Sequence, residues 1–598
     1  LRGSDGSSHA GGGEGGNIFH CNRDGGELRR YATGFWNPFG VCVAPGGQVF
    51  ATDNDPSSRP PSRLHQVIDG GDYGFQYRYG RSGQHPFISW NGELPGTLPM
   101  LHPAGEAPCD VIFHRWRLVV ASWADHRVEV YPLHWEKTHF TTERTILVQG
   151  GVDFRPVAFA FGPNGSLYVT DWVKKDYALH GQGAVWRIDG WAPKSLIPYD
   201  DPSNLFAVNL DPTSADLESD PWTFSQLISH WAKEPGEESA WPEDGDLVFR
   251  KFALLTERLR HSEDPAGIAG KGLEDPDSII QLLALKWISD EKLDRYREKV
   301  EAIAGDPPSP TLFHAAVTAL ARLDGQPVDD KPIQRLIAGR LRAGNASPKV
   351  KQAAFQVLAD REKFLSLGEL KELYESSPDE IELRVGVLLT LLVHQNDSGA
   401  RKFAEELLAR SPVDEPLRPF IEEVAHRGQP RPDLSPDVIS GRPTDLNVEE
   451  WKSFLGSNVS PAGSPALAPG RLVFHRHCAV CHRALGFGRQ GGPDLSTIGQ
   501  RGKDHILASL LDPSAEIAPQ FEPWQMTLSD GSERLGFLLG EQGDNHTYAD
   551  IAGNEFLLSN RDIVTRQQVP VSLMPPGLVN LMSNAELRDL ISWLEFLK

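Results

Sequence analysis

The sequence predicts a multidomain chain built in three successive classes: antiparallel β structure of propeller type, an α-helical solenoid, and a small α domain carrying a β insertion. Three observations support this. A strand–turn–strand pattern recurs in the first two hundred residues. Apolar helical stripes then recur, with Leu254, Leu285, Leu320, Leu358 and Leu391 separated by 31, 35, 38 and 33 residues. Finally, Cys478-Ala-Val-Cys481-His482 is followed far downstream by a capped amphipathic helix. A chain of 598 residues exceeds what one hydrophobic core holds together, so several domains are expected.

Residues 3–16 are Gly/Ser-rich, and 1–16 read as a flexible segment. The β region is expected over 17–200. Phe39–Asp53 matches Val157–Asp171: each is a strand, a Pro-Gly or Asn-Gly turn and a second strand ending in Thr-Asp. A weaker copy spans Cys109–Trp123. Repeats of this kind are the signature of propeller blades, with an antiparallel sandwich as the plainer alternative. The 184 residues of this region cover about four blades, so a propeller beginning midway is expected. Leu1 stands without an initiator Met or a secretory apolar segment, which reads as a processed or incomplete start.

From about residue 215 the period changes to 3.6, and 215–427 reads as two-helix repeats of HEAT-like type, either a partner-binding scaffold or a spacer. Residues 428–466 are rich in Pro, Ser and Asp and read as a linker, with a short helix near Val448–Leu455.

The last domain is expected over 467–598. Two thiols three positions apart, followed at once by an imidazole, form the attachment pattern of a c-type haem, in which Cys478 and Cys481 bond the vinyl groups and His482 binds iron. A zinc site helped by His475 and His477 is the alternative. It would need a second Cys/His pair, and the other cysteines, Cys21, Cys42 and Cys109, lie far upstream. Leu467–His477 reads as a helix entering the motif. Ser583 and Glu586 form a capping box ahead of the stripe Leu587, Leu590, Ile591, Leu594 and Leu597. Two such helices frame a cytochrome c-like domain. Met574, followed by two prolines on a non-helical loop, is the expected second axial ligand, with Met526 and Met582 as competitors. Residues 521–565 read as a β insertion of three or four strands, with turns at Asp530-Gly531 and Gly553-Asn554.

The formal net charge is −22, which argues against nucleic-acid or anionic-membrane partners. No apolar run is long enough to span a bilayer. Covalent haem, from the motif alone, places the protein outside the bacterial cytoplasm, in the periplasm or at a membrane surface.

Gly34-Phe-Trp-Asn-Pro-Phe-Gly40, Ala51-Thr-Asp-Asn-Asp55, Gly70-Gly-Asp-Tyr-Gly74 and Gly92–Pro99 resemble the bacterial "membrane-bound dehydrogenase" propeller family. That family is distantly similar to quinoprotein glucose and sorbosone dehydrogenases. The resemblance implies a six-bladed propeller holding pyrroloquinoline quinone and calcium, with Asn37 and Tyr73 in the quinone pocket. Trp36-Asn37 stands where those enzymes carry Arg-Asn, which removes a carboxylate-binding charge. Their catalytic histidine has no counterpart at His9 or His20. Asp53, Asp55 and Asp72 are oxygen donors of the kind calcium takes, and equally of the kind that hydrogen-bonds its own turn; Asp171 is read the same way. Arg63, His65, Arg81 and His85 lie in a long inter-blade segment where binding loops occur. Gly491–Leu495 and Ser572–Gly577 resemble the Pirellula/Verrucomicrobium-type haem-binding domain, which implies that Gly491–Asp494 lies along the haem edge. The expected activity is oxidation of a sugar or alcohol, with electrons passing through haem c to a downstream redox protein. The alternative is a non-catalytic glycan- or protein-binding scaffold with a haem relay.

Overall fold

The computed structural model describes residues 15–56, 61–81, 83, 85–136, 138–151, 153–163, 165–174, 181–190, 220–233, 241–242, 245–342, 346–358, 364–393, 398–410, 416–426, 434–456, 469–484, 487–488, 492–493, 495–496, 498–515, 517, 521, 523–542, 545–550, 555–569 and 571–597. The Gly-rich opening up to residue 14, Gly491, Asp494 and the Gly553-Asn554 turn lie outside them. The chain divides into two compact units, one of residues 1–304 with 314–333 and one of 305–313 with 334–598.

The first unit opens with a hairpin, β1 (Gly16–His20) and β2 (Arg29–Phe35). Three antiparallel sheets follow. The first runs β3 (Asn37–Val43), β4 (Val49–Asn54), β5 (Arg63–Val67) and β6 (His102–Pro103). The second has β7 (Pro108–Phe113), β8 (Arg117–Ser122) and β9 (Arg127–Pro132). A side hairpin of β10 (His134–Glu136) and β11 (His139–Thr141) then precedes its outer strand β12 (Thr145–Gln149). The third is β13 (Pro156–Phe161), β14 (Leu167–Asp171) and β15 (Ala184–Ile188). The three hairpins expected from the repeats are thus present, and β7 packs on β3 and β13 on β7. A buried core of Phe50, Leu64, Val111, Leu118 and Tyr131 fills the space between the first two sheets.

These sheets do not close into a ring among the described residues. Phe39, Val41 and Val43, alternate residues of β3, remain 60%, 55% and 63% exposed.

The repeated Thr-Asp ending has a structural explanation. Thr52 Oγ1 accepts the Gly40 amide and Thr170 Oγ1 accepts the Ala158 amide, each at 3.0 Å. Each amide lies where the first strand of its hairpin loses register, between Pro38 and Val41 or between Pro156 and Ala158. The Asp that follows accepts amides just before that bulge. Asp53 takes Trp36 and Asn37, and Asp171 takes Arg155. Thr-Asp is therefore a bulge pin, repeated because the bulge repeats.

Helices of the same unit are α1 (Pro221–Trp231), α2 (Leu247–Arg260), α3 (Ile268–Leu273), α4 (Ser278–Glu291) and α5 (Arg297–Gly305). A Cβ on Gly272 of α3 would meet Leu254 of α2 at 2.7 Å and Ala284 of α4 at 3.0 Å, so glycine lets the three pack closely. Residues 77–90 dock on these helices through buried polar contacts. Asp290 accepts from Tyr79, Arg258 (2.7 Å) and Lys286 (3.1 Å). His85 stacks edge-on to His314, with ring centroids 4.5 Å apart, and its Nε2 lies 2.9 Å from Thr318 Oγ1.

Next come α6 (Pro310–Leu323), α7 (Asp330–Arg342), α8 (Pro348–Val357), α9 (Leu367–Glu375), α10 (Ile381–Val393), α11 (Ser398–Leu408) and α12 (Arg418–Ala425). The five leucines that set the period, Leu254, Leu285, Leu320, Leu358 and Leu391, are all buried. No helix among the described residues is long and apolar enough to cross a membrane.

The segment expected as a linker contains α13 (Val448–Leu455), as the sequence suggested, but that helix is part of the last domain's core. Trp451 and Leu455 are buried there with Phe474, Leu507 and Leu590. An apolar pair four residues apart on a helix needs a partner surface, and this domain supplies it. The remaining elements are α14 (Pro469–His477), the short hairpin β16 (Arg483–Ala484) and β17 (Phe487–Gly488), α15 (Gly502–Leu511), and a β insertion closed by α16 (Asn584–Phe596). The insertion is a five-stranded antiparallel sheet, one strand more than the upper expectation. It comprises β18 (Trp524–Leu528), β19 (Glu533–Gln542), β20 (Asn545–Ala549), β21 (Glu555–Ser559) and β22 (Ile563–Gln568), in the order β21-β20-β19-β18-β22.

Candidate haem centre

The frame of the site is the crossing of α14 and α16. A Cβ on Gly470 would lie 2.0 Å from the Asp589 carbonyl oxygen and 2.6 Å from Trp593 Cβ, so only glycine permits this approach. Phe474 and Trp593 pack across the crossing, with centroids 5.0 Å apart. The capping box forms as expected. Ser583 Oγ accepts the Glu586 amide at 3.2 Å, and the Glu586 carboxylate accepts the Ser583 amide at 2.8 Å. Glu586 also pairs with Arg476 of α14, whose Nε is 3.0 Å from Glu423 on α12. Burial opposes ionisation of Glu586, but the Ser583 amide and Arg476 together hold its carboxyl below the usual range.

The helical turn continues past α14 through the motif. The Cys478 amide reaches Phe474 O at 2.8 Å, and the Cys481 and His482 amides reach Cys478 O at 3.0 and 2.8 Å. Residues three and four apart on a helical turn share a face, so both thiols and the imidazole present together. Cys478 is buried, which pushes its thiol up to about 12.

His482 is held from its far side. Its Nδ1 lies 2.9 Å from the Pro493 carbonyl oxygen. A carbonyl only accepts, so Nδ1 carries the proton and Nε2 is the lone-pair nitrogen. Burial lowers the His482 pKa, which favours the neutral ring, while the Pro493 bond opposes this. The hairpin and the following turn close tightly around this residue. A Cβ on Gly492 would meet its Cε1 at 2.9 Å and Nδ1 at 3.0 Å. Gly488, at φ +96°, has the His482 carbonyl oxygen where a Cβ would project. A thiol pair on one face, a neutral imidazole with a fixed tautomer and a glycine-lined seat fit a covalently held haem.

Met574 sits partly buried at the edge of the core that contains Cys478 and Ala479, and its amide donates to Ser572 Oγ at 3.1 Å. Its competitors are placed differently. Met526 is fully buried in the β insertion with Leu528 and Tyr548, and Met582 is fully buried in the domain core. No three His, Cys, Asp or Glu residues among the described ones are grouped to hold a metal ion, so the zinc alternative for His475 and His477 has no such group.

In the β region the candidate residues are engaged internally. Asp53 and Arg63 form a fully buried ion pair at 2.5 Å, and Arg63 also donates to Tyr73 O (2.9 Å), Trp90 O (2.7 Å) and Gly34 O (3.2 Å). Burial raises the Asp53 pKa, but Arg63 and His65 together outweigh it through charge and hydrogen bonding, so the carboxylate titrates below its ordinary value. Tyr73 is buried, stacks on Phe35 at 4.7 Å and donates to Gln66 O at 2.6 Å. Asp55 accepts from Ser62 Oγ at 2.8 Å, and Asp72 accepts the Gly74 amide at 2.8 Å in a turn. Asn37 is partly buried in β3, its amide on Asp53. Arg63, His65 and His85, expected on a binding loop or as ordinary surface residues, are buried instead; Arg81 lies over the Tyr77 ring at 5.6 Å.

Gly470, Gly488, the contact of Gly492 with the imidazole and the Pro493 carbonyl as its acceptor were not singled out from the sequence. A Gly-Pro step soon after the motif's histidine was the available signal for two of them.

Residues 467–534 match the cytochrome c family, so the chain carries a cytochrome c domain. No curated protein matches the chain. Among solved structures, similarity is found to a protein of Thermus thermophilus described as a putative oxidoreductase (glucose dehydrogenase), at 23% identity over 26% of this chain and 46% of that one, with a TM-score of 0.23. The PQQ-bound aldose sugar dehydrogenase of Streptomyces coelicolor is similar at 15% identity over 29% and 51%, with a TM-score of 0.23. The chain thus spans about half the length of each.

Proposed function

We propose that this cytochrome c domain carries one covalent haem on Cys478 and Cys481, with His482 and Met574 as axial ligands, and that the protein transfers single electrons to a downstream redox protein outside the cytoplasm. The observation that carries this reading is the Nδ1–Pro493 bond beside the two motif thiols, because it readies Nε2 for iron. When bound, haem supplies a one-electron carrier. The chain's own residues would hold it: Cys478 and Cys481 would anchor it, Pro493 and Gly492 hold the His482 ring, and Met574 would supply the second ligand.

The source of the electrons has two readings. In the first, the N-terminal sheets are blades of a quinoprotein-type propeller and the helices are HEAT-like repeats. A sugar or alcohol is oxidised to its carbonyl or lactone with loss of two electrons and two protons, aided by pyrroloquinoline quinone and Ca2+, and the electrons leave singly through haem. This rests on the resemblance of residues 34–99. In the second, the sheets and helices are a glycan- or protein-binding scaffold and haem relays electrons from another enzyme. The commitment of Asp53 to Arg63 and of Tyr73 to the core favours the second.

Adding quinone and Ca2+ to the full chain and following haem absorbance with sugars and alcohols separates them. Substrate-dependent reduction supports the dehydrogenase; reduction only by a redox protein supports the relay.

A further inference from the structure

Arg442 lies in the segment that reads as a linker, yet its half-buried guanidinium reaches about 140 residues along the chain. Nε donates to Asn584 Oδ1 at 2.7 Å, Nη1 to Val579 O at 2.8 Å and Nη2 to Met582 O at 2.6 Å. Asn584 answers through its Nδ2, which donates to Ser440 O at 3.0 Å. The acceptors belong to the 3-10 turn Leu578–Leu581, the residue after it and the first residue of α16. That turn directly follows Met574-Pro-Pro-Gly577. The other end of the loop is tied as well, since the Ser572 amide donates to Ser514 Oγ at 3.2 Å.

We infer that Arg442 is a positioning residue that holds the Met574 loop against the haem face, so that the segment before the cytochrome c domain is a working part of its redox centre. The inference rests on the reading of Met574 as the second axial ligand. A thioether is a weak iron ligand, and it stays bound because its loop is already in place. Any freedom given to the loop raises the share of haem open to a competing ligand. Arg442 supplies a planar fork that meets three diverging oxygens, which a lysine ammonium cannot do from one position.

The test is imidazole titration of the ferric haem in the full chain, alongside the far-red sulfur-to-iron band and the reduction potential. We expect Arg442→Ala to bind imidazole about tenfold more tightly than the parent, the effect of losing one charged hydrogen bond from the closed state. Arg442→Lys falls between the two and keeps more of the parent potential. Met574→Ala removes the band and binds imidazole most tightly. If both Arg442 variants bind imidazole like the parent while only their unfolding temperatures fall, Arg442 is an ordinary structural contact and the inference is overturned. If Met574→Ala keeps the band and the parent affinity, the axial reading itself fails and the inference falls with it, a result distinct from the first.

Discussion

His482 Nδ1 lies 2.9 Å from the carbonyl oxygen of Pro493, eleven residues later, and this bond leaves Nε2 as the lone-pair nitrogen of the proposed haem centre. It also makes the imidazole a stronger donor, because a proton shared with a carbonyl leaves more electron density on the opposite nitrogen. A Cβ at Gly492 would press on the ring at 2.9 Å from Cε1. Gly492→Ala is therefore expected to loosen the Pro493 bond and raise the reduction potential, because a less basic ligand stabilises ferric iron less. Spectroelectrochemistry reads this; an unchanged potential counts against the bond as a tuning element.

Gly470 sits where α14 meets the Asp589 and Trp593 turn of α16, with no space for a methyl group. Gly470→Ala should destabilise the domain by about 1–3 kcal/mol or more, the range for overpacking a tight contact. Denaturant unfolding followed by haem absorbance measures it, and a loss below about 0.5 kcal/mol would mean the crossing gives way easily.

Asp53 is predicted to be structural. Asp53→Asn leaves the Arg63 charge buried without its partner, which costs on the order of 3–5 kcal/mol. The loss should be the same in Ca2+ and in EDTA. A Ca2+-dependent rise in melting temperature that Asp53→Asn abolishes would instead support Asp53 as a calcium ligand.

Acid should weaken the first unit. Burial, with the Arg63 charge adding for His65, pulls His65 and His314 down to about 4. Between about 6.5 and 4 the unfolded chain takes up protons that the folded unit refuses, so stability falls as pH falls through that window. Above it the contribution is complete. Thermal unfolding between pH 7 and 4 should show the decline, and His65→Gln should reduce it.

Much of the haem centre was legible because its signals are local. The CxxCH spacing, the Ser583–Glu586 box and the apolar stripe of α16 each lie within about three turns of helix. The Phe39–Asp53 and Val157–Asp171 hairpins were legible for the same reason. What escaped depends on the backbone or on distance. The Pro493 carbonyl carries no residue-type signature, and Arg442 meets acceptors contributed by carbonyls far along the chain. Asp53 misled because an aspartate suits calcium and an ion pair equally well; its pairing with Arg63 is fixed by the β4–β5 register, which places the two opposite each other. The docking of α13 was hidden by the polar composition around it, although Trp451 and Leu455 already formed an apolar stripe.

The central claim is that haem is covalently held at Cys478 and Cys481. Its most direct test is a pyridine haemochrome spectrum of the purified full chain after acid–acetone extraction, compared with the Cys478→Ser/Cys481→Ser double variant. The account predicts one unextractable haem with a c-type spectrum in the parent and none in the variant. Haem that extracts fully from the parent, or a parent chain without haem after expression with the attachment machinery, would contradict it.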